Sequence, residues 1–402
     1  MLLRVVAACL AAAAFVWRLF LFRTTVVAIT GSVGKTTAKE CLAAVLARHG
    51  PTVATVGNQG ARFNLPITLL RARPWTRFVV AEVGIDQTGY MWRSAWLLRP
   101  DIAVILAVKR NHVRSFGDVE VTAAEKAKLL RPLTKRGLAV LNAEDSRVMA
   151  MARGARYKVR TFGASSGADL WCSDVSARWP ERLSFQVHSG GEAHRVRTNL
   201  VGGHWTPSVL AALSVAVACG MTLEEAIPPL NWVEPFPARL QPVRLPSGAV
   251  ILRDEYNGSV ESLGPALRVL EEAEVTRRWL VISDFTDIEG SYRHRLRRLG
   301  QEAARVADLC VFLGEKSAYG RRRAIEAGMD AGAVWSFVFL EEAAAFLREN
   351  LRAGDLVLLR GTVQDKLSRL VLAQTVPVSC WRSRCGRRYL CDHCQDLVQI
   401  QA

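Results

Sequence analysis

Thr30-Gly31-Ser32-Val33-Gly34-Lys35-Thr36-Thr37 follows an apolar run at 25–29 and leads into a segment with helical periodicity, 38–48. A strand, a glycine turn and a helix start gather free backbone N–H groups and the positive end of a helix dipole at one point, which makes an anion site. Lys35 adds a point charge for outer phosphates, and Thr36 adds a hydroxyl that can hold Mg²⁺. Ile29 stands where ordinary P-loop spacing asks for a first glycine, so the pattern is G-x-x-G-K-T. A plain glycine-bearing βα turn is the alternative, but it has no need of Lys-Thr-Thr at the helix start. The expected phosphate cradle is therefore Gly31, Ser32, Val33, Gly34, Lys35, Thr36 and Thr37.

Outward from this loop the chain alternates strand and helix. Apolar strands are expected at 78–83, ending in Glu82-Val83-Gly84, at 102–108, ending before Asn111-His112, and at 138–142. Polar groups thus sit at the carboxyl ends of successive strands, where open α/β sheets bind ligands. Residues 171–199 read as antiparallel hairpins around Ser189-Gly190-Gly191, and helical periodicity returns at 208–218. The proline-dense stretch 228–246 suits a domain linker. A second α/β unit follows, with strands at 279–283, 309–314 and 356–359 and helices at 300–306 and 340–351. The expected fold is α/β. A hydrophobic segment (1–24) precedes a P-loop central domain with a mostly parallel sheet (25–235). A C-terminal Rossmann-like α/β domain (236–376) and a short Cys-rich tail (377–402) complete it.

With 402 residues, half of them hydrophobic, the chain can build real cores and is not a disordered polymer. Its net charge of +16 suits nucleic acid, anionic lipid or an anionic substrate. No long basic run or basic–aromatic alternation offers a base-stacking platform, so no nucleic-acid partner is expected. Residues 5–17 are apolar throughout, Arg18 interrupts, and 19–22 resume, short of the about 20 residues a spanning helix needs. Arg4 and the small residues after it resemble a secretory signal, yet a nucleotide site starting at Thr30 belongs in the cytoplasm with ATP. The expectation is a membrane anchor or interfacial helix at the cytoplasmic face, with Arg18 and Arg23 near head groups. A helix packed on the protein's own surface is the alternative.

Cys9, Cys41, Cys172, Cys219 and Cys310 are scattered singly and read as small buried apolar groups. Cys380, Cys385, Cys391 and Cys394, with His393 among them, cluster within 15 residues of the tail. In a reducing compartment that pattern favours a structural Zn²⁺, with disulfides or free thiols as the alternatives. The tail also offers a surface for a protein partner, and Arg382, Arg384, Arg387 and Arg388 make it basic.

Several segments, in order, resemble the Mur ligases, and within them the D-alanyl-D-alanine-adding branch. Thr30 to Thr37 is similar to that family's T-G-x-x-G-K-T-T loop, which also lacks the first glycine. Gly57-Asn58 and Asn64-Leu65-Pro66-Ile67-Thr68-Leu69-Leu70 resemble G-N…G-x-P-x-T-L-L. Ala81-Glu82-Val83-Gly84 with Gly89 resembles E-x-G…G-E. His112-Val113-Arg114-Ser115-Phe116-Gly117 resembles H-L-E-x-F-G, and Glu125-Lys126-Ala127-Lys128 the helix after it. Pro237-Ala238-Arg239-Leu240-Gln241 is similar to G-R-M-Q, and Asp254-Glu255-Tyr256-Asn257-Gly258-Ser259 to D-D-x-Y-N-A-N. Ser283-Asp284…His294 and Leu359-Arg360-Gly361-Thr362 echo later motifs.

The resemblance implies an ATP- and Mg²⁺-dependent ligase. It phosphorylates a small-molecule carboxylate and lets the amine of an amino acid or short peptide attack the acyl phosphate, in cell-wall precursor synthesis. Lys35 would meet the outer phosphates, with Lys126 facing them. Thr36, Glu82 and His112 would serve Mg²⁺. Arg239, Asp254 and Asn257 would come from the second domain, and His204 would lie by the adenine. The family's G-x-H-N-x-x-N is here Gly202-Gly203-His204-Trp205-Thr206-Pro207-Ser208, so the expectation is either that adenine stacks on Trp205 or that the nucleotide preference is altered. Only about 24 residues precede the first core strand, where a domain gripping a uridine nucleotide would need about a hundred. That leaves open a poly-γ-glutamate-type ligase of CapB kind at the membrane, and an inert nucleotide-binding homologue.

Overall fold

The computed structural model describes residues 2–57, 61–85, 87–109, 118–258, 260–283, 291–382, 385–387 and 389–397. His112, Asn58, Phe116, Gly117, Ser259, Asp284, Arg384 and Arg388 lie outside the described residues. The chain divides into two compact units. One is Met1–Ala177 with Arg182–Val233, and the other is Arg178–Glu181 with Glu234–Ala402.

In the first unit, the described strands are β1 (Thr25–Thr30), β2 (Thr52–Ala54), β3 (Phe78–Glu82), β4 (Ile102–Ile105), β5 (Leu138–Asn142), β6 (Lys158–Gly163), β7 (Leu170–Ser176), β8 (Ser184–Ser189) and β9 (Glu192–Arg197). They form one sheet in the order β2-β3-β1-β4-β5-β6-β7-β8-β9, parallel as far as β7 and antiparallel over the expected hairpins. The central strands are continuous apolar runs because helices cover both faces. On one face α2 (Lys35–Ala47) and α6 (Thr206–Ala218) pack Leu42, Val45, Val209 and Leu213 against Val27 and Ile29. On the other, α1 (Leu2–Phe20), α3 (Ala61–Arg71) and α4 (Tyr90–Leu98) pack Ala14, Leu65, Leu69 and Met91 against Val26 and Ala28. Helix α5 (Val119–Ala127) follows β4.

Two expectations shift here for physical reasons. The strand expected at 102–108 ends at Ile105. Beyond it the Leu106 N–H donates to Thr30 O at 3.0 Å and Ala107 O accepts from Ser32 N–H at 2.8 Å, so 106–108 run along the phosphate loop. The helix expected at 38–48 starts at Lys35, immediately after Gly34 turns the chain with φ +82°. Helix α1 packs on the body by one face. Trp17 Nε1 donates to Ala72 O at 2.9 Å, and the Arg18 guanidinium donates to Leu98 O and Arg99 O at 2.9 Å each and to Asp101.

In the second unit, β10 (Gln241–Arg244), β11 (Val250–Asp254), β12 (Arg277–Ser283), β13 (Leu309–Leu313), β14 (Val334–Phe337) and β15 (Asp355–Arg360) form a sheet in the order β10-β11-β15-β12-β13-β14. Every pairing is parallel except that of β10 with β11. The proline-dense stretch is therefore only partly a linker. Its last residues make β10 on the sheet edge, where Pro242 does not interrupt a central ladder. Register sets Asp254 and Ile282 on either side of Arg360, so Asp254, Ser283 and Arg360 gather at the carboxyl ends of the central strands.

Candidate active site

The phosphate loop is held from three sides. Thr30 Oγ1 donates to Val83 O at 2.9 Å, tying the end of β1 to the end of β3. Ser32 Oγ donates to Lys109 O at 3.1 Å and accepts from Lys109 N–H at 2.8 Å. Ser208, at the start of α6, donates to Gly34 O at 3.1 Å. The two glycines are required by space. A Cβ on Gly31 would stand 2.9 Å from Leu106 Cβ, and one on Gly34 would stand 2.6 Å from Ser208 Oγ, at a positive φ besides. Lys35 lies back across its own loop, with Nζ donating to Gly31 O at 2.9 Å.

Thr36 Oγ1 donates to Glu82 Oε1 at 3.1 Å. Glu82 is buried at the carboxyl end of β3, and its Oε2 is buried with no hydrogen-bond partner. A buried carboxylate oxygen left unpaired costs stability unless something else satisfies it. A hydroxyl and an orphaned carboxylate oxygen beside a phosphate loop are hard oxygen donors, and they fit Mg²⁺.

Lys126 on α5 is buried to 4% exposure, and its ammonium is held well below the ordinary lysine range, first by burial and then by the charge of Lys35. Helix α5 is fixed by Glu125. That carboxylate accepts from Gly89 N–H at 2.7 Å and Met91 N–H at 3.3 Å at the start of α4, and pairs with Lys128. Two cations thus bear on one phosphate loop. Glu125, Ser208 and Arg360 are structural parts of the site to which the sequence assigned no role, although each stands inside a motif stretch quoted for the family resemblance.

His204 is half-buried beside Trp205, the ring centroids 4.5 Å apart. Trp205 itself joins the core of the first unit with Val209 and Leu210. The expectation that it offers a stacking surface for a base is thereby corrected, because its ring is already packed among apolar side chains.

In the second unit Arg239 is half-buried, its guanidinium 5.9 Å from the Phe236 ring and 5.2 Å from the Tyr256 ring. Ala238 and Leu240 on either side hold positive φ of 57° and 48°, a costly backbone for residues with a Cβ. Tyr256 N–H donates to Ala238 O at 3.1 Å, and Leu240 N–H donates to Asp254 Oδ1 at 3.3 Å, fixing this turn. Asp254 is buried in an ion pair with Arg360, which is fully buried and donates to Ser262 Oγ at 2.6 Å. Burial, then the neighbouring charge of Arg239, pushes Arg360 down to about 9. Asn257 is exposed.

The tail cysteines line one small cavity of about 20 Å³, together with Lys366, Arg369 and Arg387, and all four are free thiols. Among the described residues no group of three or more His, Cys, Asp and Glu side chains could hold a metal ion, so the zinc expectation is not supported. One of the sulfurs is taken up by a guanidinium group instead. Arg387 donates to Cys394 Sγ at 2.8 Å, while the Arg369 guanidinium donates to Arg382 O at 2.7 Å on the cavity wall. Asp392 ties the tail to β11 through Arg253, which also pairs with Glu255.

Residues 29–216 match the Mur ligase middle domain, and residues 238–363 match the Mur ligase glutamate ligase domain. The chain belongs to the Mur ligase family. It is 31% identical over 358 residues to the UDP-N-acetylmuramoyl-tripeptide–D-alanyl-D-alanine ligase of Mycobacterium tuberculosis, covering 84% of this chain and 70% of that one. The enzyme of that name from Bacillus subtilis is 25% identical over 87% of this chain and 75% of its own length. A crystal structure of MurF from Acinetobacter baumannii superposes with a TM-score of 0.83 at 23% identity, covering 92% of this chain and 80% of that one. MurF from Thermotoga maritima in complex with ADP superposes with a TM-score of 0.76 at 21% identity, covering 92% and 83%. As a MurF-like Mur ligase the chain is an ATP-dependent enzyme that forms an amide bond and releases ADP. The CapB-like and inert-homologue readings are not favoured by these relatives. Mur ligases of this kind use ATP and Mg²⁺ and act on small molecules.

Proposed function

We propose that this Mur ligase joins a carboxylate acceptor of the cell-wall precursor type to a short peptide amine of the D-alanyl-D-alanine type, inside the cell at a membrane surface. The domains are assigned as residues 25–235 for nucleotide and 236–376 for completion of the reaction. The observation that carries the reading is the meeting, at one phosphate loop, of Lys35, the buried Lys126 and the orphaned Glu82 oxygen.

In this reading a carboxylate oxygen of the acceptor attacks the γ-phosphorus of ATP and ADP departs. The amine then attacks the acyl carbon, loses a proton, and expels phosphate that carries the former carboxylate oxygen. Loop N–H groups from Gly31 to Thr37 and the Lys35 ammonium hold the outer phosphates, and Lys126 offsets charge on the transferred group. Thr36 and Glu82, with His112, would hold Mg²⁺, whose part is to neutralise crowded phosphate oxygens. His204 flanks the base. In the second unit Arg239 steadies the anionic intermediate and Asn257 meets the nucleotide. Asp254 acts by fixing the Arg239 turn through Leu240 and by neutralising Arg360.

The test is mass spectrometry of products from a pool of amine peptides and two acceptor forms, a soluble UDP-muramyl peptide and a lipid-linked one. An ATP-dependent product one water lighter than acceptor plus amine supports the reading. ADP release with no such product contradicts it.

A further inference from the structure

Helix α1 carries an apolar face that the body does not cover. Its buried positions Ala7 and Ala14, and Leu21 just past its end, follow helical spacing, with Trp17 and Arg18 between the last two. The opposite positions are exposed, and residues 5–17 contain no charged side chain. Leu3, Val16, Leu19, Phe20 and Phe22 reach from 51% to 80% exposure. A surface helix of a water-soluble protein normally turns a polar face outward.

The neighbours extend this surface. Trp75 is 72% exposed, three residues after the Ala72 carbonyl that holds Trp17. Trp92 and Trp96 on α4 are also exposed and form an edge-on pair, ring centroids 5.3 Å apart. Helices α1, α3 and α4 contact one another, and none of the chain's acidic residues lies in them. They carry Arg4, Arg18, Arg62, Arg71 and Arg93, with exposed Arg23 and Arg73 close by. Apolar residues, indole rings and arginines on helices that themselves carry no acid are the chemistry of an anionic lipid interface.

We infer that the α1–α3–α4 face docks on the surface of an anionic bilayer, with α1 lying in the head-group region rather than crossing. Arg18 decides between lying and crossing. Its guanidinium is held by two backbone carbonyls at the end of α4 and by Asp101, and Trp17 is held by Ala72, so the carboxyl half of α1 is bolted to the body. This deepens the membrane part of the proposed function and does not depend on the ligation chemistry.

The full-length chain should co-sediment with vesicles of phosphatidylcholine containing phosphatidylglycerol, and much less with phosphatidylcholine alone. Leu19→Glu/Phe20→Glu should lower the partition coefficient at least about tenfold, with ATP turnover unchanged. Arg71→Gln/Arg73→Gln should weaken binding to the anionic vesicles only. Circular dichroism and thermal melts check that both variants fold. A tag ahead of Leu2 should stay open to protease added outside sealed vesicles. Equal sedimentation with neutral vesicles, or none with either, overturns the inference. So does protection of the tag, which means crossing. A dimer in solution that Leu19→Glu/Phe20→Glu dissociates, without vesicle binding, assigns the face to a second copy instead.

Discussion

The two units hold their charges differently. Around the phosphate loop, Glu82 keeps one oxygen without a partner, the Lys35 ammonium donates to carbonyls of its own loop, and Lys126 is buried beside a like charge. In the second unit, Asp254 neutralises Arg360, and Arg253 joins Glu255 to Asp392. Charge left electrostatically unbalanced in a fold is a cost that a ligand can repay; charge matched internally holds the fold in place. The phosphate loop is thus built for an anion and a cation to enter, and the Asp254–Arg360 and Glu255–Arg253–Asp392 clusters for carboxylates to hold arginines.

Substitutions can break this contrast. Lys35→Ala should remove ATP turnover by about 10³-fold or more while leaving the melting temperature nearly unchanged, as steady-state assays and a thermal melt would show. A marked drop in stability would place Lys35 among the structural charges. Asp254→Ala should do the opposite. It leaves Arg360 buried without its carboxylate, at a cost of about 3–5 kcal/mol in denaturant unfolding, and impairs ligation while ATP still binds. Unchanged stability would show that Arg360 does not depend on this pair. Glu82→Gln should slow turnover about hundredfold and raise the Mg²⁺ needed for half-maximal rate. A rate loss with an unaltered Mg²⁺ titration would mean that the carboxylate serves Thr36 alone.

Lys126 sharpens the contrast through pH. Its folded value lies below its unfolded one, so between the two the unfolded chain holds more protons. Stability of the nucleotide-free protein should therefore rise with pH across that window. Phosphate beside the ammonium restores the charged form, so ATP binding should take up a proton and weaken as pH rises through the lowered value. Calorimetry in buffers of different ionisation enthalpy measures that uptake, and Lys126→Met should abolish it.

Much of this was legible in the sequence. The loop, both sheets and the carboxyl-end placement of Glu82 follow from apolar runs broken by glycine and charge. The burial of Lys126 does not follow, because a lysine on a short helix reads as solvated until Glu125 is seen to face α4. Trp205 misled for a related reason. Its neighbours in sequence are polar or small, and only the packing of α6 sends the ring inward. The pairing of Asp254 with Arg360 joins residues over a hundred positions apart through β11 and β15. In the tail, spacing suggested a metal, while the folded chain sets the Arg387 guanidinium against the Cys394 sulfur.

The central claim, phosphoryl transfer to a carboxylate, is open to one direct measurement. The acceptor is labelled with ¹⁸O in its reacting carboxylate, turned over with ATP and amine, and the released phosphate is analysed by mass. An acyl-phosphate route places a label from the carboxylate in the phosphate, in step with amide formation. Unlabelled phosphate, released at the same rate whether or not acceptor is present, would mark a plain nucleotide hydrolase and contradict the ligase.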